Sequence, residues 1–154
     1  IVQDAPVQEN PDLYCAVRTV TFPVENEAII RVARLSPIGL GFKDDNTVST
    51  QINLVNLGNA QILTIPGEAL PNIGFYLKRK MKGDHNLLFG LTNDAFGYIM
   101  VKEDFRSFKR YNYISNTTLG EMTGKILVDE LEAFVNEQPA PAAAKPKEDK
   151  KDAA

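Results

Sequence analysis

Residues 50–83, TQINLVNLGNAQILTIPGEALPNIGFYLKRKMKG, change their hydrophobic period once, and that change decides the fold. Before Pro66 the chain alternates. Ile52, Leu54 and Leu57 are apolar against polar Gln51, Asn53 and Asn56, imperfectly but at the spacing of a strand. AQILTIP is a second strand, and Gly58-Asn59 between the two has the chemistry of a hairpin turn. After Pro66-Gly67 the period lengthens. Ile73, Leu77 and Met81 recur at four-residue steps, which place them on one helix face, and Gly83 is a stop signal. Pro66-Gly67-Glu68 is therefore a sharp strand-to-helix turn that carries a carboxylate.

Upstream, AVRTVTFPV (16–24) alternates as a strand, while NEAIIRVARLSPIG (26–39) suits either a strand or a short helix. Downstream, NLLFGLTND (86–94) predicts a buried strand, AFGYIM (95–100) a loop or short strand, and KEDFRSFKRYNYI (102–114) a weak helix. TLGEMTGKILVDELEAFVNE (118–137) is the strongest helix. Ile126, Leu127, Leu131, Phe134 and Val135 form its apolar stripe, and Thr118 and Thr123 are candidate caps. The ends differ in composition. Residues 1–12 are polar with two prolines and read as a flexible arm. From Gln138 on, QPAPAAAKPKEDKKDAA has no large apolar residue, so residues 137–154 read as a disordered Pro/Ala/Lys tail. Residues 13–136 are left as one folded segment. Strands followed by alternating helices and strands predict a mixed α/β (α+β) fold, a mixed sheet with helices packed on it.

Composition narrows the function. The chain has 154 residues, 44% of them hydrophobic, and a formal charge of −3. No net basic surface exists to neutralise phosphates, which argues against nucleic acid as a partner. The cluster Lys78-Arg79-Lys80-Met81-Lys82 reads as a solvated helix end, where cations are favoured. No stretch approaches the roughly 20 apolar residues of a membrane span. A single cysteine, Cys15, excludes an internal disulfide and reads as a small buried side chain. The opening IVQDAPVQENPDLYC, without an initiator Met, has the look of a processed or truncated product.

Four places could carry chemistry, and each has a plain structural reading. Glu68 is a ligand or a helix N-terminal charge. Asn93-Asp94 is a site or a turn. Tyr98 is a functional phenol or a half-buried aromatic with its hydroxyl paired. His85, the only histidine, reads as a solvent-facing loop residue, since one histidine makes no metal triad. Asp44-Asp45-Asn46 opens like a calcium loop but lacks the later spaced acids, so it reads as a turn. The chain contains no phosphate-cradling Gly-rich motif, no G-x-S-x-G and no H-E-x-x-H.

The order of three stretches adds a resemblance. ILTIPGEALPNIGFYLKRKM, then LLFGLTNDAFGYIMVKEDF, then RYNYISNTTLGEMTGKILVDEL resembles the last part of the catalytic domain of the neutral/alkaline, non-lysosomal ceramidases and their bacterial relatives. The matching positions are Pro66-Gly67-Glu68, Asn93 with Tyr98, Arg110-Tyr111, and Gly120 with Gly124, within residues 50–135. The resemblance implies part of a larger domain that hydrolyses the amide bond of ceramide or a related lipid amide. It implies Glu68 and Tyr98 as zinc ligands, and Tyr111 as a group on the oxyanion side. The family's other two zinc ligands are histidines from earlier in the domain, whereas this chain has none before His85. Its serine-bearing segment is also missing, and Tyr111-Asn112 stands where members commonly carry Tyr-Glu. The Pro/Ala/Lys tail takes the place of the immunoglobulin-like domain that follows in longer members. The expected partners are thus the upstream part of the same enzyme and a lipid amide, and the expected location is secreted or extracytoplasmic. Alone, the chain should be inactive. The alternative is a binding or structural module that kept the scaffold without the chemistry.

Overall fold

The computed structural model describes residues 7–8, 10–38 and 41–142. Strand β1 (Leu13–Pro23) leads to helix α1 (Glu27–Leu35), then to strands β2 (Thr47–Leu57) and β3 (Ala60–Thr64). A short strand β4 (Glu68–Ala69) precedes helix α2 (Pro71–Lys80), followed by β5 (His85–Phe89) and a second short strand β6 (Tyr98–Ile99). Single 3-10 turns at Lys102–Asp104 and Lys109–Tyr111 lead into α3 (Asn112–Asn116), and α4 (Thr123–Glu137) follows. The main sheet has the order β1-β2-β3-β5. Its first two pairings are antiparallel, and β3 with β5 is parallel.

The quoted stretch behaves as its periods require. Leu57 and Ala60 pair directly across Gly58-Asn59, the two-residue turn of a hairpin. Inner-face residues Val20, Phe22, Ile52, Leu54 and Leu63 are buried, and Ile73 and Leu77 of α2 and Leu127, Leu131 and Phe134 of α4 complete the core with them. The buried amides on this side are satisfied. Gln61 Nε2 donates to Asn56 Oδ1 (2.9 Å), and the Lys82 N–H donates to Gln61 Oε1 (2.9 Å).

The ambiguous segment after β1 is helical because Asn26 caps it. Asn26 Oδ1 accepts from the N–H groups of Ala28 (3.1 Å) and Ile29 (3.4 Å), while Nδ2 donates to the Asn116 and Thr118 carbonyls. Asp45 closes a turn by accepting from the Thr47 N–H, with no calcium-loop geometry required. Gln8, in the described part of the arm, is bonded to Asn59 at the hairpin, and Pro139 accepts from Asn56 Nδ2. Residues 1–6 and 9 of the arm and the tail beyond residue 142 lie outside the described residues.

Several expectations are corrected. Cys15 is exposed, because strand alternation turns it to the face of β1 away from the helices. The run predicted as a buried strand is the edge strand β5, with Leu87 and Phe89 open to solvent. His85 is exposed as expected but begins that strand, paired with Ala60, rather than lying in a loop. Helix α2 ends before Gly83, at Lys80, with Met81 as its cap residue. Neither Thr118 nor Thr123 caps α4. Thr123 is its first residue and bonds back to the Gly120 carbonyl (2.9 Å), and the cap position is Met122.

The basic end of α2 is solvated, and it is also tied to α4. Lys80 Nζ (2.7 Å) and the Tyr76 hydroxyl (2.6 Å) both donate to the Glu132 carboxylate. The bond from Lys80, then that from Tyr76, holds this carboxyl below its ordinary range. A lowered carboxyl pKa adds stability above the unfolded-state value and loses it as pH falls through the folded one. The Tm of a Glu132→Gln variant should therefore lie closer to that of the parent at pH 3 than at pH 7.

Candidate functional site

The turn after β3 is held by main-chain bonds from both sides. The Ile65 N–H donates to the Phe89 carbonyl (2.8 Å), and Thr92 and Leu91 return bonds to the carbonyls of Ile65 (3.1 Å) and Gly67 (3.0 Å). On the other side the Phe96 N–H reaches Pro66 (2.8 Å), Glu68 reaches Gly97 (2.9 Å) and Leu70 reaches Ile99 (2.8 Å). The result is a parallel two-stranded ladder in which Glu68 pairs with Tyr98 and Ala69 with Ile99. Registered partners on adjacent strands lie about 5 Å apart and present their side chains to the same face. Ile99 is fully buried, so alternation turns Tyr98, and Glu68 with it, away from the core.

Two glycines permit this approach, one immediately before each of the paired residues. A Cβ at Gly67 would lie 2.5 Å from the Gly97 carbonyl oxygen, so only glycine lets the strands meet there. Gly97 has φ +77°, and a Cβ on it would lie 1.9 Å from the Thr117 carbonyl oxygen. The loop before β6 is pinned to β2. Asn93, at φ 71°, donates from Nδ2 to the Gln51 carbonyl (2.7 Å), and Asp94 accepts from the Thr50 hydroxyl. The turn reading of Asn93-Asp94 therefore holds, and that turn delivers Tyr98 to Glu68.

Glu68 is exposed and Tyr98 is half-buried. Among the described residues, neither the Glu68 carboxylate nor the Tyr98 hydroxyl has a hydrogen-bond or ion-pair partner. Glu68 and Tyr98 are thus register partners on one face of the ladder, each with a side-chain oxygen that no described residue engages. Glu68 also lines a cleft of about 480 Å³, together with Ile65, Pro71, Phe75, Lys78 and Leu88. Tyr98 is not part of that wall. A second, more apolar hollow of about 560 Å³ lies behind Phe96 and Gly97, against Ile29 and Val32 of α1.

Tyr111 is placed differently from its neighbours in the motif reading. Its ring lies edge-on to Phe108 (6.0 Å between centroids) and under the Arg110 guanidinium (5.1 Å). The phenol that meets Tyr98 is Tyr113, edge to face at 5.9 Å. Sequence reasoning missed Tyr113. In Tyr111-Asn112-Tyr113 two tyrosines lie two positions apart, and the local pattern does not say which one turns towards Tyr98.

His85 cannot join the pair. It opens β5 opposite Ala60, whereas Glu68 follows the far end of the parallel neighbour β3, past Thr64. Four residues of strand alone separate those ends by about 13 Å. Among the described residues no three His, Cys, Asp or Glu side chains cluster as a metal site.

No family model and no curated protein matches the chain. Two solved ceramidases are similar to it. The neutral ceramidase from Pseudomonas aeruginosa is similar over 64% of this chain and 17% of its own, at 19% identity and a TM-score of 0.45. A ceramidase complexed with C2 is similar over 65% of this chain and 17% of its own, at 20% identity and a TM-score of 0.44. The chain thus spans about one-sixth of the length of either structure.

Proposed function

We propose that this chain is the C-terminal portion of the catalytic domain of a ceramidase-like zinc amidohydrolase, and that it is inert alone. The observation that carries the reading is the register of the short ladder, which sets Glu68 beside Tyr98. These are the two residues that the motif resemblance nominates as ligands, and they come from loops 30 positions apart in the sequence.

The donor set fits half of a zinc site. Zinc takes carboxylate oxygen and imidazole nitrogen and can expand to five-coordination, so four protein donors would still leave a position for water. Glu68 would contribute an anionic oxygen fixed by the main-chain bonds of its turn. Tyr98 would contribute a phenol oxygen, a group that ordinarily ionises near about pH 10 and that a neighbouring dication makes more acidic. The two remaining donors would be histidines on the upstream part of the protein. Bound zinc supplies Lewis-acid polarisation of a carbonyl and a nucleophile at neutral pH. The substrate class is a lipid amide such as ceramide. Tyr111, on the same loop system, is the proposed oxyanion-side group, with Tyr113 as the neighbour that orients the Tyr98 ring. Secretion goes with this reading.

Calorimetric titration with zinc tests it. The 154-residue chain should bind zinc weakly or not at all, and the protein that includes its upstream, histidine-bearing part should bind one equivalent tightly. Tight stoichiometric binding by the chain alone would mean that the ligands lie elsewhere. No binding by the longer protein would favour a binding or structural module.

A further inference from the structure

One face of the main sheet lies under α2 and α4; the opposite face is covered by no described helix or strand. Cys15 pairs with Val55, Val55 with Ile62, and Ile62 with Leu87, so one apolar row crosses all four strands on that outward face. Val17 is 56% exposed, Leu87 42% and Phe89 50%. The outward positions of β1, β2, β3 and β5 hold no Asp, Glu, Lys or Arg. A solvated sheet face is polar along its strands, whereas the strip formed by Cys15, Val17, Val55, Ile62, Leu87 and Phe89 is apolar.

What covers this face follows from its area, charge and position. Strand spacings of about 4.8 Å and rises of about 3.3 Å make it on the order of 500 Å², against about 800 Å² per partner in a stable complex. A second copy of the chain would therefore be held poorly. Anionic lipid would find no cationic residue on it. A layer continuous with the chain needs no such area, because tethering raises its effective concentration. The position points the same way. Thr64 and Phe89 end the parallel pair, and the chain from Thr64 runs directly into the turn that carries Glu68.

We infer that this face is the docking surface for the upstream part of the same protein. That part would stack an uncharged sheet face about 10 Å away, and so bring its histidines to the edge where Glu68 lies. The inference rests on the reading under Proposed function.

Cys15, the only cysteine, sits in the central row and reports on coverage. Its labelling by N-ethylmaleimide, followed by mass, should be at least tenfold slower in the protein that includes the upstream part than in the 154-residue chain. Equal rates would overturn the inference. Protection within the chain alone, with a doubled mass in solution, would assign the face to a second copy and also overturn it. Protection of the chain by phosphatidylcholine vesicles would overturn it in favour of lipid. Val17→Lys should leave the chain folded by circular dichroism while restoring fast labelling in the longer protein; slow labelling there would count against the docking. Zinc retention separates the two readings. Slow labelling without bound zinc keeps the docking and sinks the metal site, and bound zinc with fast labelling does the reverse.

Discussion

Gly97→Ala is expected to destabilise the chain by about 3 kcal/mol or more, lowering Tm by roughly 6–12 °C. Two penalties add. The backbone there has φ +77°, where an L-residue costs about 1–2 kcal/mol. The new methyl would also lie 1.9 Å from the Thr117 carbonyl oxygen, a main-chain atom that cannot swing aside as a flexible side chain would. Relief requires moving residues 96–99, which breaks the bond from the Glu68 N–H to the Gly97 carbonyl and the bond from Phe96 to Pro66. The same substitution therefore pulls Tyr98 away from Glu68. Thermal unfolding followed by circular dichroism measures the first effect. A change in Tm below about 2 °C would show that the ladder does not constrain this position as described.

The second large effect separates metal binding from folding. In the protein that includes the upstream part, Glu68→Gln and Tyr98→Phe are each expected to weaken zinc binding by at least about 100-fold, since losing even an outer partner of a ligand costs 10–100-fold. Hydrolysis of a lipid amide should fall with the metal. Stability should not. Glu68 is exposed, and neither side chain has a polar partner among the described residues, so each change should stay within about 0.5 kcal/mol. Tyr111→Phe should keep the zinc, because its ring contacts are with Phe108 and Arg110. Full zinc retention by both the Glu68 and Tyr98 variants would remove them from the site.

How much of this was legible in the sequence depends on the range of the interaction. Alternation gave β1, β2 and β3, and four-residue steps gave α2 and α4, because each signal sits within one element. Helix α1 was ambiguous on periodicity; the deciding residue is Asn26, whose capping bonds are made to its own helix and to the Asn116 and Thr118 carbonyls. The β4–β6 ladder was not legible from the local pattern. Each strand has two residues, and their pairing is set by main-chain bonds across 30 positions. Only the motif resemblance singled out Glu68 and Tyr98 together. Cys15 and β5 were misread for one reason. An apolar run such as Leu87-Leu88-Phe89 fits a strand covered on both faces, and the described residues cover one. Tyr113 was not legible because a turn at Lys109–Tyr111, which no periodicity announces, precedes it and brings its ring to Tyr98.

The most direct test is anomalous diffraction at the zinc edge from zinc-loaded crystals of the protein with its upstream part. One peak is expected within about 2.0–2.2 Å of a Glu68 carboxylate oxygen, with the Tyr98 phenol oxygen also in the coordination sphere and two imidazoles completing it. A peak coordinated entirely by other residues, with Glu68 and Tyr98 facing solvent, would contradict the proposed site.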